Sequence, residues 1–339
     1  MSELKMEPFV DSTDIVDDGP ALAGRMERDG YLFIRGLLPV DTVLDLRRQL
    51  LELAAEGGWL AKDQPIEAGI ADPAAACCDP EPGYTKVFKN LWKNEDLHAL
   101  KHHPAIIGIL EHMLGEEPFP QPLFVERNVF PQGADFDFTT RPHQDVVHVG
   151  GRTHAVWSPI GDCPIERGPI CMAAGSHRNG VLDFRVVAGP GGMEMTPPDE
   201  CPWHGGSFSV GDVVIFSDNT VHQALPNRTL ALRQSFDARY QLRTEPITAQ
   251  SVRPYGNILT WEQVYADWES TEYQYYWEKL DLDVVPFDMQ YYDKRDAIAF
   301  EMAERGERAA RDTLLRIVQR DPDVAKRERA TCLIQMLDS

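Results

Sequence analysis

Between residues 122 and 242, apolar and polar positions alternate with a period of two, interrupted every few residues by Gly, Pro, Asn or Asp. Successive strand side chains point to opposite faces, so this alternation predicts strands that bury one face on a core. Strands are expected at 123–130, 154–160, 170–173, 212–217, 220–225 and 230–242. Many short strands with such turn punctuation fold as a sandwich or barrel. On both flanks the apolar spacing lengthens to that of a helix. Upstream, 21–28 reads as a short helix and 31–35 as a strand. Pro39 and Asp41 open a helix with Val43, Leu46, Leu50 and Leu53 on one face, ended by Gly57-Gly58. Residues 104–114 read as a helix with Pro104 at its start and Gly115 just past its end. Residues 60–95 show weak periodicity and several Pro and Gly, the pattern of a long covering loop or lid. Downstream, 261–268 and 272–280 read as short helices. Residues 295–318 and 324–337 read as an antiparallel helix pair broken at Asp321-Pro322-Asp323.

These elements imply a mainly β protein with flanking helices, an α+β chain built on a sandwich or barrel. The expected organisation is an acidic flexible arm over 1–20, a β domain over 21–250 and a helical extension over 251–339, which serves as a docked extension or a homodimer contact. Across 339 residues the formal net charge is −21, which disfavours nucleic acid and anionic membranes as partners. No apolar run approaches the roughly 20 residues that span a bilayer. The acidic, polar N-terminus is neither a secretory signal nor an Arg-rich transit peptide, so the expected compartment is the cytoplasm. The six cysteines form no CxxC pair, so reduced thiols are expected and a structural zinc is disfavoured. The Trp- and Tyr-rich stretch 261–292 has the composition of a cation cage, but such aromatics more often pack a core.

The chemistry concentrates in one constellation. His143 and Asp145 are two apart, a spacing that on a strand puts both side chains on one face. His222 lies 77 residues beyond Asp145, and Arg233 follows 11 residues later. Two imidazoles and one carboxylate are the ligand set of a facial iron site with open positions. A lone downstream guanidinium suits the far end of a dicarboxylate, since it stays charged and binds carboxylate as a bidentate fork. On the strand that follows, Arg233, Ser235, Asp237, Arg239 and Gln241 share one face. If Arg233 points into the barrel, Ser235 and Asp237 line the pocket with it; the alternative is that Asp237 and Arg239 form an interior or rim ion pair with no substrate contact. His148 and His154 fall near the constellation.

These residues resemble the phytanoyl-CoA dioxygenase-like branch of the iron(II)/2-oxoglutarate oxygenases. The resemblance rests on GYLFIRGLLP at 30–39, HQDVVH at 143–148, AVWSPIGDCPIERGPICMAAGSH at 155–177 and GDVVIFSDNTVHQALPNRTLALRQSF at 211–236. It covers about residues 20–245. It implies a double-stranded β-helix, or jelly roll, with His143, Asp145 and His222 on Fe(II). It further implies Arg233 on the C5 carboxylate of 2-oxoglutarate, O2 as co-substrate, and Gln144 and Trp157 as co-substrate contacts, with Asn128 on the preceding strand. One departure stands out: the family often carries a hydroxyl residue two positions after the distal His, and here that position is Ala224. Thr153 or a water is the expected substitute. Because Asp145 is present, the resemblance implies oxygenation rather than halogenation.

The reading is therefore a hydroxylase of a small organic metabolite or natural-product intermediate. Its rivals are an acyl-CoA hydroxylase, a catalytically idle scaffold on the same fold, and a different metal enzyme. Only Lys86, Lys89 and Lys93 near the lid supply a basic patch for CoA phosphates. A zinc hydrolase is disfavoured by the lack of an HExxH motif.

Overall fold

The computed structural model describes residues 4–133 and 139–338. Two sheets face each other. The larger has strand order β2-β9-β4-β11-β3, and the smaller β1-β8-β5-β10. In chain order these are β1 (Met6–Pro8), β2 (Tyr31–Ile34), β3 (Phe119–Val129), β4 (His154–Pro159), β5 (Ile170–Ala173), β6 (Phe184–Val186), β7 (Met193–Met195), β8 (Trp203–Gly205), β9 (Val213–Ser217), β10 (His222–Ala224) and β11 (Arg233–Gln241), with β6 and β7 forming a separate hairpin. The arrangement is a jelly roll with a C-terminal helical region.

Alternation along the strands sorts the core into two layers. Tyr31, Phe33, Trp157, Val214 and Phe216 turn inward to meet Ile170, Met172 and Ala224 of the smaller sheet. Their neighbours Leu32, Ile34, Val156, Ile215, Phe124, Phe236 and Tyr240 turn outward under helices. These helices are α1 (Gly19–Asp29), α2 (Val40–Glu56), α3 (Pro82–Trp92), α4 (Glu95–Leu100) and α5 (Pro104–Leu114). Helix α2 buries Val43, Leu46, Leu50, Leu51 and Ala54, each large side chain contributing roughly 1.5–3 kcal/mol. Gly211, which leads into β9, has φ +91°, and a Cβ there would meet the Leu38 carbonyl oxygen at 2.4 Å, so glycine is required at this turn.

Three segments depart from expectation. Residues 6–8, read as part of a flexible arm, form β1 in parallel with β8. Phe9 stacks on Phe33 at 4.9 Å, so apolar side chains outweigh the local charge; residues 1–3 lie outside the described residues. The stretch 60–95 is not a loop throughout, because α3 buries Tyr84, Val87, Phe88, Leu91 and Trp92. Their helical spacing is hidden behind the Pro- and Gly-rich run before it. Finally, the segment 295–318 is two helices, α8 (Gln290–Glu304) and α9 (Arg311–Arg320), after a four-residue α6 (Val146–Val149) and α7 (Trp261–Tyr265). Helix α10 (Val324–Asp338) packs on both. Only a short 3-10 turn, Tyr276–Lys279, forms where 272–280 was expected to be helical.

The aromatic stretch is packing rather than a cage: Trp261 stacks with Tyr265 and meets Trp277 at 4.8 Å and Trp92 at 5.8 Å. Among the described residues no helix is long and apolar enough to cross a membrane.

Candidate metal centre

His143 and His222 are clipped together by reciprocal backbone hydrogen bonds, each N–H donating to the other's carbonyl at 3.0 Å. This bridge extends the β10 edge of the smaller sheet and sets the two rings 4.1 Å apart. Asp145 arrives differently from the strand geometry expected for it. It caps α6 with φ −69° and ψ −26°, so a turn, not the pleat, brings its carboxylate to the imidazoles. Its Oδ1 lies 3.6 Å from His143 Nε2 and 3.9 Å from His222 Nε2. The three donor atoms all fall within 4.8 Å of one another.

The donor set fits a divalent cation. Each His uses Nδ1 on a backbone carbonyl, His143 on Arg141 at 2.8 Å and His222 on Thr220 at 3.1 Å, which leaves both Nε2 lone pairs facing Asp145. Burial, helped by His222, drives the His143 pKa well below its usual value, so the ring is neutral. Burial opposes ionisation of Asp145, but Arg239, His222 and His143 overcome it and hold the carboxyl below its usual range. Arg239 Nη2 donates to Asp145 Oδ2 at 2.7 Å and to Asp237 Oδ2 at 3.2 Å, leaving Asp145 Oδ1 free for a metal. The expected interior Asp237–Arg239 pair therefore also reaches a donor residue.

Arg233 points into the same cavity from β11. Its Nη1 donates to Ser235 Oγ at 2.6 Å, its Nε is buried without a partner, and its guanidinium lies 5.9 Å from the Trp157 ring centroid. A buried guanidinium with open donors asks for an anion. The hydroxyl beside it is Ser235, two residues along its own strand. Thr153 does not supply it: the β4–β11 register sets Ser235 opposite Pro159 and Tyr240 opposite His154, so Thr153 lies beyond the other end of β4.

Two other expected contacts point elsewhere. Asn128 faces the outer layer, donating to Glu126 at 2.6 Å and accepting from Gln234 at 3.0 Å. Gln144 braces loops, donating to the carbonyls of Gly180 and Asn219 and accepting from the Leu182 N–H. Trp157 does line the cavity. His148 also lines it and shares a 3.0 Å hydrogen bond with the Tyr292 hydroxyl, whereas His154 lies outside its lining. Sequence reasoning missed Arg239 as a partner of Asp145. The β11 alternation that placed it on the Arg233 face was the available signal.

The cavity has a volume of about 280 Å³. The β strands supply one wall, including Leu123, Val125 and Ile170. The helical extension supplies another through Tyr255, Tyr292, Arg316 and Ile317.

Comparison with known proteins agrees with this geometry. Residues 26–235 match the family model described as phytanoyl-CoA dioxygenase (PhyH). Two similar proteins are 1-deoxypentalenic acid 11-beta-hydroxylases. The Streptomyces exfoliatus protein is 26% identical over 76% of this chain and 91% of its own. The Streptomyces arenae protein is 24% identical over 75% and 90%. The solved structure of the epimerase SnoN in complex with Fe3+, alpha ketoglutarate and nogalamycin RO aligns over 67% of this chain and 85% of that one, at 22% identity and a TM-score of 0.49. Since the family match spans well over half of its length and takes in all three donors and Arg233, the chain belongs to the phytanoyl-CoA dioxygenase family of iron(II)/2-oxoglutarate-dependent oxygenases.

Proposed function

We propose that the protein hydroxylates a C–H bond of a small organic metabolite of the natural-product type. The balanced change is R–H + 2-oxoglutarate + O2 → R–OH + succinate + CO2. Iron(II), when bound with 2-oxoglutarate and O2, supplies the oxidising chemistry. His143 and His222 would hold it through Nε2 and Asp145 through Oδ1, while Arg239 fixes the carboxylate's orientation by occupying Oδ2. Arg233, steadied by Ser235, grips the far carboxylate of 2-oxoglutarate. The extension closes one side of the cavity and keeps water from the reacting C–H bond.

The observation that carries this reading is the pairing, in one cavity, of an anionic two-His, one-carboxylate cluster with a buried guanidinium whose Nε has no partner. The two relatives named as hydroxylases of 1-deoxypentalenic acid support the choice of a compact substrate. Every residue invoked comes from one chain, so a second copy is not needed to complete the site.

The test incubates the enzyme with Fe(II), 2-oxoglutarate and O2 against a panel of small cyclic acids and acyl-CoA thioesters, following succinate and product mass. Succinate formed in step with a product one oxygen heavier, from a small acid, is the expected result. Turnover confined to the thioesters would instead make it an acyl-CoA hydroxylase. Absence of any Fe(II)- and 2-oxoglutarate-dependent turnover would favour the idle scaffold.

A further inference from the structure

The end of the cavity away from the metal cluster has an unbalanced charge. Asp79, buried in the loop ahead of α3, is its focus. Arg320 on α9 bonds Asp79 Oδ1, and Arg316, one helical turn earlier on the same face, places Nε 3.6 Å from Asp79 Oδ2. Arg316 Nη2 is taken by the carbonyls of Asp79 at 3.2 Å and Gly189 at 2.7 Å, but its Nη1 is buried with no partner. Arg127 joins them from β3, opposite Ser235 in the sheet and so on the cavity face. Among the described residues Arg127 has no hydrogen bond or ion pair. The influence of Tyr255, Asp79, Tyr84 and Asp237 outweighs burial and keeps its guanidinium firmly charged.

Two guanidiniums thus hold the Asp79 carboxylate, and a third, Arg127, lines the same cavity with no ion pair of its own among the described residues. The nearby cations do not share this excess, because they are balanced. Arg295 bonds Asp296 at 2.7 Å, and Lys326 bonds Asp296 at 2.7 Å and Asp321 at 2.8 Å, pairing two cations with two anions. In a chain of net charge −21, a local surplus of positive charge inside a cavity needs a reason.

We infer that Arg127, Arg316 and Arg320 form an oxyanion site for the head group of the substrate, anchoring it at the extension end so that its hydrocarbon body reaches toward His143, Asp145 and His222. The inference rests on the oxygenase reading above and adds what that reading leaves open, namely an anionic substrate held by Arg127 of the barrel together with two residues outside the segment matched to the family. Arg316 and Arg320 lie beyond residue 235, where that match stops. The extension therefore shares substrate selection with β3, while the barrel supplies the chemistry. A carboxylate and a phosphate share the recognition chemistry, and the test separates them.

The experiment titrates the full-length, anaerobic protein loaded with Fe(II) and 2-oxoglutarate by calorimetry. The probes are adamantane-1-carboxylate, the uncharged adamantane-1-carboxamide, and phenyl phosphate. The site requires the carboxylate or the phosphate to bind at least about tenfold more tightly than the carboxamide, since a charge-assisted bidentate contact is worth that much. Whichever anion binds more tightly identifies the head group. In Arg127→Gln the preference over the carboxamide should vanish, and Arg316→Gln should reduce it. Thermal unfolding is the control for folding, and Arg127, on an edge strand, is the substitution easier to tolerate. Equal binding of charged and uncharged probes, no binding of either anion, or a preference that survives Arg127→Gln would overturn the inference. If Fe(II) and 2-oxoglutarate fail to load, the oxygenase reading is what falls. The same titration on the metal-free protein then still tests the oxyanion site by the same criteria.

Discussion

At the barrel end of the cavity two carboxylates, Asp145 and Asp237, share the single guanidinium of Arg239, whereas at the extension end Arg316 and Arg320 share the single carboxylate of Asp79 while Arg127 lines the same cavity without an ion pair of its own among the described residues. The first arrangement leaves a negative surplus beside the imidazoles of His143 and His222, an environment that recruits a divalent cation. The second leaves a positive surplus that recruits an anion. On the wall of the same cavity Arg233, with its Nε unpartnered, offers a further positive charge where a dicarboxylate co-substrate would end. One cavity thus carries separate negative and positive clusters; on the proposals above the negative one would take the metal, and the positive ones the co-substrate and the substrate head group.

The most disruptive way to break this comparison is at the negative end. Replacing His222 by Ala removes one of three donors and leaves its bridge partner His143 without a matching imidazole. Iron content after anaerobic reconstitution and succinate formation are both expected to fall to background. Retention of iron would mean that the cluster is not the metal site.

A smaller loss should follow from Arg239→Gln, which leaves the donors in place but frees Asp145 Oδ2. Outer partners of this kind typically change metal affinity by roughly 10–100-fold, and an Fe(II) titration reads the change. Arg233→Gln should leave iron binding close to wild type while raising the KM for 2-oxoglutarate by about 100-fold, the cost of losing a buried charge-assisted pair. An equal loss of iron and 2-oxoglutarate affinity in that variant would contradict the separation of the two positions.

The smallest effect concerns the reverse side of β3, where Glu126 faces the outer layer under the helices. Burial pushes the Glu126 carboxyl up to about 8, from an ordinary value of 4.5. The folded state therefore favours the protonated acid. Its contribution to stability is fully present below about pH 4.5 and is lost as pH rises through about 8. Glu126→Gln keeps an acceptor for Asn128 and should flatten this slope, so that the variant is less destabilised than wild type at alkaline pH in denaturant unfolding. Matching slopes in the two proteins would remove Glu126 as the cause.

The two ends also differ in how far they can be read from the chain. His143, Asp145, His222 and Arg233 are recognisable because short spacings and strand alternation carry their geometry, and the alternation of β11 correctly put Ser235, Asp237 and Arg239 on the Arg233 face. Even there the local backbone differs from the strand that the spacing predicts: Asp145 reaches the cluster from the start of α6. Position in the chain alone suggests Asn128 and Thr153, but strand parity and register, visible only once β3, β4 and β11 are paired, set them elsewhere.

The extension end was not legible at all. Asp79, Arg127, Arg316 and Arg320 come from a loop, an edge strand and a late helix, and no periodicity links segments so far apart. The helical spacing of Arg316 and Arg320 was present, but what that face meets depends on tertiary packing. The same holds for α3, whose buried face could be seen only by looking past the prolines in front of it.

The most direct test of the central claim is an anaerobic titration of Fe(II) into the protein with and without 2-oxoglutarate, following the visible charge-transfer absorption of a 2-oxo acid chelated to iron. A single Fe(II) per chain is expected, with a band that appears only when both are present, no band in His222→Ala, and a band in Arg233→Gln that needs far more 2-oxoglutarate. An undiminished band in His222→Ala, or no band in the wild-type protein, would contradict the claim.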